Sequence, residues 1–257
     1  MFIDEIRISS TQRSADWIET TYNSMVNATD GGFFTLEPHE TYSNVYVSGS
    51  MPAGWYNETN VHTIQEGIDN ATVGGTIYVW DGTYNVENIT VNKSVSIIGN
   101  SSSTVHLNWT DTGEYNAIMV LQSDNITISN IHFNGETTQW QLICDGNYYT
   151  NNTYVHNCNF TNGRVAFKIN TPKTQSNINF SNNTVYNMTN YAIVLLSGCN
   201  ISAHNNTIIG ADGCWFIDTI EDGIFVNNNI QDIIDGDAFM TTDSSNITMY
   251  HNTINNH

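Results

Sequence analysis

The chain has 257 residues, a net charge of −19 and only six basic residues: Arg7, Arg13, Lys93, Arg164, Lys168 and Lys173. So few cations argue against nucleic acid, whose affinity rests on Lys and Arg neutralising phosphates, and against an anionic membrane surface. No run of about 18 apolar residues occurs, so no segment reads as inserting into a membrane.

Charged residues make up 12% and hydrophobic ones 39%. The polar remainder is mostly Asn, Thr and Ser, with Asn at roughly three times its usual share, which suits tight turns and left-handed backbone positions. Asn-x-Ser/Thr acceptors are dense, among them Asn88, Asn125, Asn182, Asn187, Asn200, Asn205 and Asn246. They suggest an extracellular or cell-surface glycoprotein, or simply a good turn-to-strand sequence. Cys144, Cys158, Cys199 and Cys214 match no metal-binding spacing and read as small buried residues.

Residues 1–42 differ in pattern from the rest of the chain. Residues 2–9 alternate apolar and polar as a half-buried strand does, and Trp17, Ile18 and Tyr22 fall at helical spacing behind Ser14 or Asp16 as N-cap. Ile3-Asp-Glu-Ile-Arg-Ile-Ser9 and Arg13-Ser-Ala-Asp-Trp-Ile18 resemble the closing strand and tail of concanavalin A-like (laminin G-type) jelly-roll domains. The resemblance implies a C-terminal remnant of such a domain, with any ligand loops of it lying upstream. Residues 43–60 come next with a short strand at 44–48, then Gly49, Pro52 and Gly54, and read as a linker and opening loop.

At 61–71 the pattern is a short amphipathic helix, with Thr63 as cap, Glu66 completing a capping box, and Ile64, Ile68 and Ala71 on one face. Strands are predicted at 76–80, 83–91 and 94–99. Residues 75–84, GTIYVWDGTY, fit the pattern G-x-I-x-V-x-x-G-x-Y, and VSIIG at 95–99 comes after them. Helix, strand pair and third strand together resemble the start of right-handed parallel β-helices of the pectate-lyase-like superfamily. An exposed parallel-sheet edge needs cover, and an amphipathic helix supplies it.

From there the chain repeats itself. NITISNIHF at Asn125 returns in variant form from Asn152, Asn177, Asn200, Asp222 and Asn246, a period of roughly 22–27 residues that marks stacked supersecondary units. One strand per repeat aligns Ile128, Val155, Phe180, Ala203, Phe225 and Met249 as an inward column. A second aligns Ile118, Leu142, Phe167, Ile193, Phe216 and Phe239. Lys168 is then predicted on an apolar outer face with Met119, Ile143, Val194, Ile217 and Met240. Between the strands stand Asn130, Asn157, Asn182, Asn205 and Asn227, then His251, read as an asparagine ladder whose amides satisfy one another in series. The fold class is therefore all-β: a right-handed, single-stranded parallel β-helix (solenoid) over 61–257 with a short N-terminal capping helix. No cap comes after residue 254, so the stack is expected to end open there, by truncation or against a partner.

Enzymes of the resembled superfamily are lyases and hydrolases of polysaccharides, which need paired carboxylates, a cation or basic side chains on one face. Asp218 either interrupts an apolar column or already lies in the turn after a strand that ends at Ile217. Asp212, Glu221, Asp222, Asp232, Asp235, Asp237 and Asp243 cluster nearby in sequence, with Asp222, Asp235 and Asp237 as candidate Ca²⁺ ligands, the one cofactor the composition suggests. Asp-Gly before a strand is equally ordinary turn chemistry. Arg164 and Lys168 are the basic pair within the coils, and Trp55, Trp80, Trp109, Trp140, Tyr148, Tyr149 and Tyr154 could stack on sugar rings. The partner expected is an extracellular polysaccharide or glycan, together with other domains of a longer surface protein. Two functions fit: a secreted or cell-surface module with a structural, adhesive or glycan-binding role, or a polysaccharide lyase or glycoside hydrolase. A third reading is a Ca²⁺-stiffened surface-layer component. An enzyme should gather acidic or basic groups from different coils into one groove.

Overall fold

The computed structural model describes residues 41–110, 117–135, 141–146, 148, 150–169 and 176–255. Apart from its last two residues, the jelly-roll remnant read over 1–42 lies outside them.

The described chain is a parallel β-helix with three strand-bearing faces. The first face stacks Asn60–Val61, Tyr42–Val47, Ala71–Val79, Val95–Gly99, Ile126–Ser129, Thr153–His156, Ile178–Ser181, Gly198–His204, Ile220–Val226 and Ser245–Tyr250, in that spatial order. The second face runs from Gly82–Val86 through Val105–Trp109, His132–Asn134 and Asn159–Thr161 to Asn229–Gln231 and Thr253–Asn255. The third carries Ile89–Val91, Ala117–Leu121, Gln141–Cys144, Val165–Ile169 and Phe239–Thr242. Two long strands, Thr184–Leu195 and Thr207–Asp218, bend round the corner and serve both the second and third faces. Every pairing is parallel, as in a solenoid in which each coil meets only its neighbours.

Among the described residues the stack begins at Tyr42. Residues read as a linker pair in register with the first coil, Val45 with Ile77 and Val47 with Val79. Asn60–Val61 then closes over Tyr46 and Val47, covering the open edge of the first face. The predicted helix forms over Ile64–Asn70 with its capping box complete: Glu66 N–H donates to Thr63 Oγ1 (3.2 Å) and Thr63 N–H to Glu66 Oε2 (3.0 Å). It buries Ile64 and Ile68. Its Gln65 side chain imitates a missing strand on the third face, accepting from Thr90 N–H at 2.8 Å and donating to Thr90 O at 3.3 Å. An edge that would otherwise template aggregation is thereby closed.

The inward column of the first face is the predicted one except at Met249, which pairs in register with Phe225 but is 38% exposed. Ile77, Ile97, Ile128, Val155, Phe180, Ala203 and Phe225 pair in register and are buried. Aromatic rings fill the interior: Phe133 stacks on Phe160 (5.1 Å, 8°), Phe167 on Phe180 (5.3 Å) and Trp215 on Phe239 (6.1 Å, 5°). Each fully buried ring contributes about 1.5–3 kcal/mol of transfer free energy.

The third face differs by one residue from the expected register. Its inward column is Met119, Ile143, Phe167, Ile193, Trp215 and Phe239, and Ile118 and Leu142 are buried beside it. Consequently Lys168 stands outward with Val120, Cys144, Val194, Phe216 and Met240. Adjacent apolar residues such as Ile118-Met119 satisfy either register of a period-2 pattern, and coils of unequal length shift the alignment between them.

The ladder is also displaced by one position. Asn130, Asn157, Asn182, Asn205, Asn227 and His251 all have left-handed backbone, with φ between 53° and 59°. They form the turn itself, and all but the half-buried Asn130 are exposed. In the last four of these turns the next residue forms a buried ladder: Asn183, Asn206, Asn228 and then the half-buried Asn252. Asn206 Oδ1 accepts from Asn183 N–H (3.0 Å), while its Nδ2 donates to Phe180 O (2.8 Å) and Asn228 Oδ1 (2.9 Å). Asn228 repeats the pattern with Ala203 O and Asn252 Oδ1. Of the predicted set, Asn205 and Asn182 do join through a 3.2 Å bond, at the surface.

Candidate functional site: a groove on the third face

The outward positions of the third face build a groove across successive coils. One cavity of 310 Å³ is lined by Gln122, Gln141, Cys144, Asp145, Tyr148 and Lys168, among others. A second, of 260 Å³, is lined by Gln141, Arg164, Lys168, Tyr191, Val194 and Phe216, among others. Gln141 and Lys168 belong to both, so the two hollows adjoin.

Local sequence explains how the groove forms. Gln141–Cys144 ends in Asp145-Gly146, where Gly146 takes φ +54°. The Tyr148 N–H returns to Asp145 O at 2.7 Å, closing a turn that Asp readily heads. That turn holds Tyr148 exposed at the cavity wall, while Asp145 is only 2% exposed. The next coil places Lys168 one rung along from Cys144, and Asp145 N–H donates to Lys168 O at 3.3 Å. Burial pushes the Cys144 thiol up, the Asp145 charge adds to this, and Lys168 opposes it. Burial, then the charge of Asp237, likewise raises Tyr191 at the other end.

The predicted site residues divide accordingly. Arg164 and Lys168 come together in the groove, and Asp237 lies near enough to act on Tyr191. Asp218 does not interrupt the core: Ile217 takes the inward place beside Leu195, and Asp218 ends its strand half-buried, accepting from Thr219 Oγ1 (3.0 Å) and Thr242 Oγ1 (2.6 Å). Asp222, Asp232 and Asp243 are turn residues with φ of 60°, 52° and 43°. Asp222 replaces asparagine in an outer amide row and accepts from Asn246 Nδ2 at 3.0 Å. Asp235 is exposed, with its N–H on Asp212 O. The Ca²⁺ candidates Asp222, Asp235 and Asp237 are therefore split between the first face and the approach to the third. Among the described residues no group of three His, Cys, Asp or Glu could hold a metal ion. All four cysteines are free thiols, Cys158 and Cys214 fully buried.

Sequence reasoning missed Asp145, Gln122 and Gln141. Asp145-Gly146 resembles Asp222-Gly223 and Asp235-Gly236 in sequence, and only the fold reveals its burial beside a lysine of the next coil.

Of the predicted sugar-stacking aromatics, Trp109 is buried, Tyr148 stands in the groove, Tyr154 is exposed elsewhere, and Trp55 and Trp80 pack together at 6.0 Å. Trp140 and Tyr149 lie outside the described residues.

The fold defines the class of protein, a parallel β-helix. No protein-family model matches the chain, and no curated protein matches it. Among solved structures, the chain is similar to a pectin methylesterase in complex with a hexasaccharide, at 12% identity over 84% of this chain and 93% of that one, TM-score 0.41. It is also similar to pectin methylesterase PemA from Erwinia chrysanthemi (11% identity, 84% and 93%, TM-score 0.38) and to ORF18 of Geobacillus virus E2 (16%, 72% and 56%, TM-score 0.20). At such similarity no ligand or activity carries over. No described helix is long and apolar enough to cross a membrane.

Proposed function

We propose that this chain is an extracellular or cell-surface β-helix module that binds an acidic polysaccharide in the groove of the third face. The observation that carries the reading is the sharing of one groove by Arg164 and Lys168, in a chain with six basic residues and a net charge of −19. An acidic surface repels polyanions, so cations held in a cleft select where one can settle. Arg grips a carboxylate or sulfate with paired N–H groups, Lys adds a point charge, and Gln141 offers an amide to sugar hydroxyls. A glycan laid along the axis meets a new rung about every 4.8 Å, so repeating sugars face repeating coils.

A second reading, a polysaccharide lyase or hydrolase, is favoured by Asp145, a carboxylate 2% exposed that shares the cavity wall with Lys168 of the next coil. A buried carboxylate beside a lysine is a candidate acid–base pair. One experiment tests both. An array of acidic and neutral polysaccharides measures binding, while absorbance of unsaturated uronates and reducing-end release measure turnover. Binding that weakens with salt and falls at least about tenfold in an Arg164→Ala/Lys168→Ala variant is the expected result. Turnover abolished by Asp145→Asn would replace the binding reading with the enzymatic one, and indifference to every acidic glycan would end the first.

A further inference from the structure

A second hollow opens on the first face, at the N-terminal coils. It has a volume of 500 Å³ and is lined by Tyr46, Tyr78, Trp80, Ile98, Asn100 and Asn130, together with Val79 and Gly99. Tyr46 and Tyr78 are register partners on adjacent coils, their rings stacked at 5.4 Å and 18°. Tyr78 is 37% exposed and Trp80 44%.

Of these rings, Trp80 is braced by a chain of aromatic neighbours. Trp55 meets Trp80 edge-on at 6.0 Å, Tyr56 meets Trp55 edge-on at 5.3 Å, and His62 stacks on Tyr56 at 3.4 Å. The Tyr56 hydroxyl donates to Ser48 O (3.0 Å) and accepts from Met51 N–H (3.0 Å). The loop between the first two strands is thus ordered around the indole of Trp80. The rim amide of Asn100 is fixed through its Nδ2, which donates to Asp81 Oδ1 at 2.9 Å. Backbone bonds from Trp80 N–H to Val47 O and from Asn100 N–H to Val79 O, both 2.9 Å, fix the rim residues to the coil. Large exposed aromatics held rigid lose little conformational entropy on binding, which makes them effective contact surfaces.

We infer that this cleft is a second carbohydrate site, one that takes a neutral pyranose ring by its flat C–H face. Among the described residues no Lys, Arg, Asp or Glu lines it, so an ionic ligand would shed its hydration there without a counter-charge. The strand backbones beneath are already paired on both sides, Tyr46 with Tyr78 and Tyr78 with Ile98, so a peptide has no open sheet edge to extend. What the cleft offers is apolar ring faces flanked by amides at Asn100 and Asn130. That combination matches a sugar, whose axial C–H groups are apolar and whose rim is hydroxyl. The site lies on a different face from the Arg164–Lys168 groove and shares no lining residue with it. It stands whether or not the groove binds an acidic glycan.

The test is a tryptophan-fluorescence titration of the full chain with cellohexaose, xylohexaose and mannohexaose, with hexagalacturonate as the acidic comparison. At least one neutral hexasaccharide is expected to bind, with affinity falling about tenfold or more in Trp80→Ala and measurably in Tyr78→Ala, and unchanged in Lys168→Ala. Both aromatic side chains are partly exposed, and unaltered circular dichroism would confirm that each variant is folded. The inference is overturned if no neutral hexasaccharide binds at millimolar concentration, or if binding survives in both aromatic variants. It is overturned equally if the loss tracks Lys168 rather than Trp80.

Discussion

Replacing Asn206 with alanine tests whether the buried amide ladder holds the coils together. The Asn206 side chain is fully buried and makes three bonds to three different residues: Asn183 N–H, Phe180 O and Asn228 Oδ1. Alanine strips the acceptor from a buried N–H and one donor from a buried carbonyl, at about 1–3 kcal/mol each. Relief from burying an amide offsets part of this, leaving a net loss of about 3 kcal/mol. A chain of this size shifts by about 2–4 °C per kcal/mol, so Tm should fall by roughly 6–12 °C. The control is Asn205→Gly, one residue earlier. Glycine keeps the left-handed turn at φ 57° and loses only the exposed bond to Asn182, so its effect should stay within about 0.5 kcal/mol. Thermal and urea melts followed by circular dichroism measure both. Asn206→Ala should also speed amide exchange at Asn183. Equal melts for the two variants would refute the assignment of the ladder to the second turn residue.

Three further outcomes come from the packing. Gly99→Ala should cost about 1–3 kcal/mol or prevent folding, because a Cβ there collides with the Asn130 carbonyl oxygen and sits 2.9 Å from Ile131 Cγ1; a wild-type melt would contradict it. Cys158→Asn should leave Tm unchanged or raise it. Cys158 holds the ladder position above Asn183, its N–H on Asn183 Oδ1 (2.9 Å), its sulfur 3.9 Å from Ile128 O and facing the Ile131 N–H. An amide there could make both bonds that the thiol, pushed up to about 12 by burial, makes poorly; a lower Tm would speak against it. The last concerns pH. His132 Nδ1 lies 2.8 Å from His106 Nδ1, and its Nε2 lies 2.8 Å from Thr161 Oγ1. Burial, and then His106, hold His132 below the ordinary histidine range. A depressed histidine contributes stability that is fully present above its unfolded value of about 6.5 and is lost as pH falls from there towards its folded value. Tm of the wild type should therefore drop across that window, and His132→Gln should flatten the drop; identical slopes would exclude the pair as its cause.

The coil period and the first-face column were legible because large apolar residues recur once per coil on one strand, flanked by polar neighbours that fix the register. The capping helix was legible because Thr63 and Glu66 stand at the spacing their mutual bonds require. The turn was harder. Asn182-Asn183 and Asn205-Asn206 present the same residue twice, and only the backbone distinguishes the member at positive φ, turned to solvent, from the member buried in the stack. Among the described residues, all the non-glycine positive-φ positions except Thr219 and His251 are Asn or Asp. Their density explains much of the asparagine excess and many of the sequons without reference to glycans. The same chemistry disguised the groove. Asp145-Gly146 and Asp222-Gly223 read alike in sequence, yet one carboxylate is buried beside Lys168 and the other is an exposed turn residue bound to Asn246. In a solenoid whose turns are built from Asn, Asp and Gly, a carboxylate acquires a chemical role through the coil stacked next to it. Asp145 and Lys168 therefore line the proposed groove, whereas the denser acidic stretch at 212–243 mostly supplies turns.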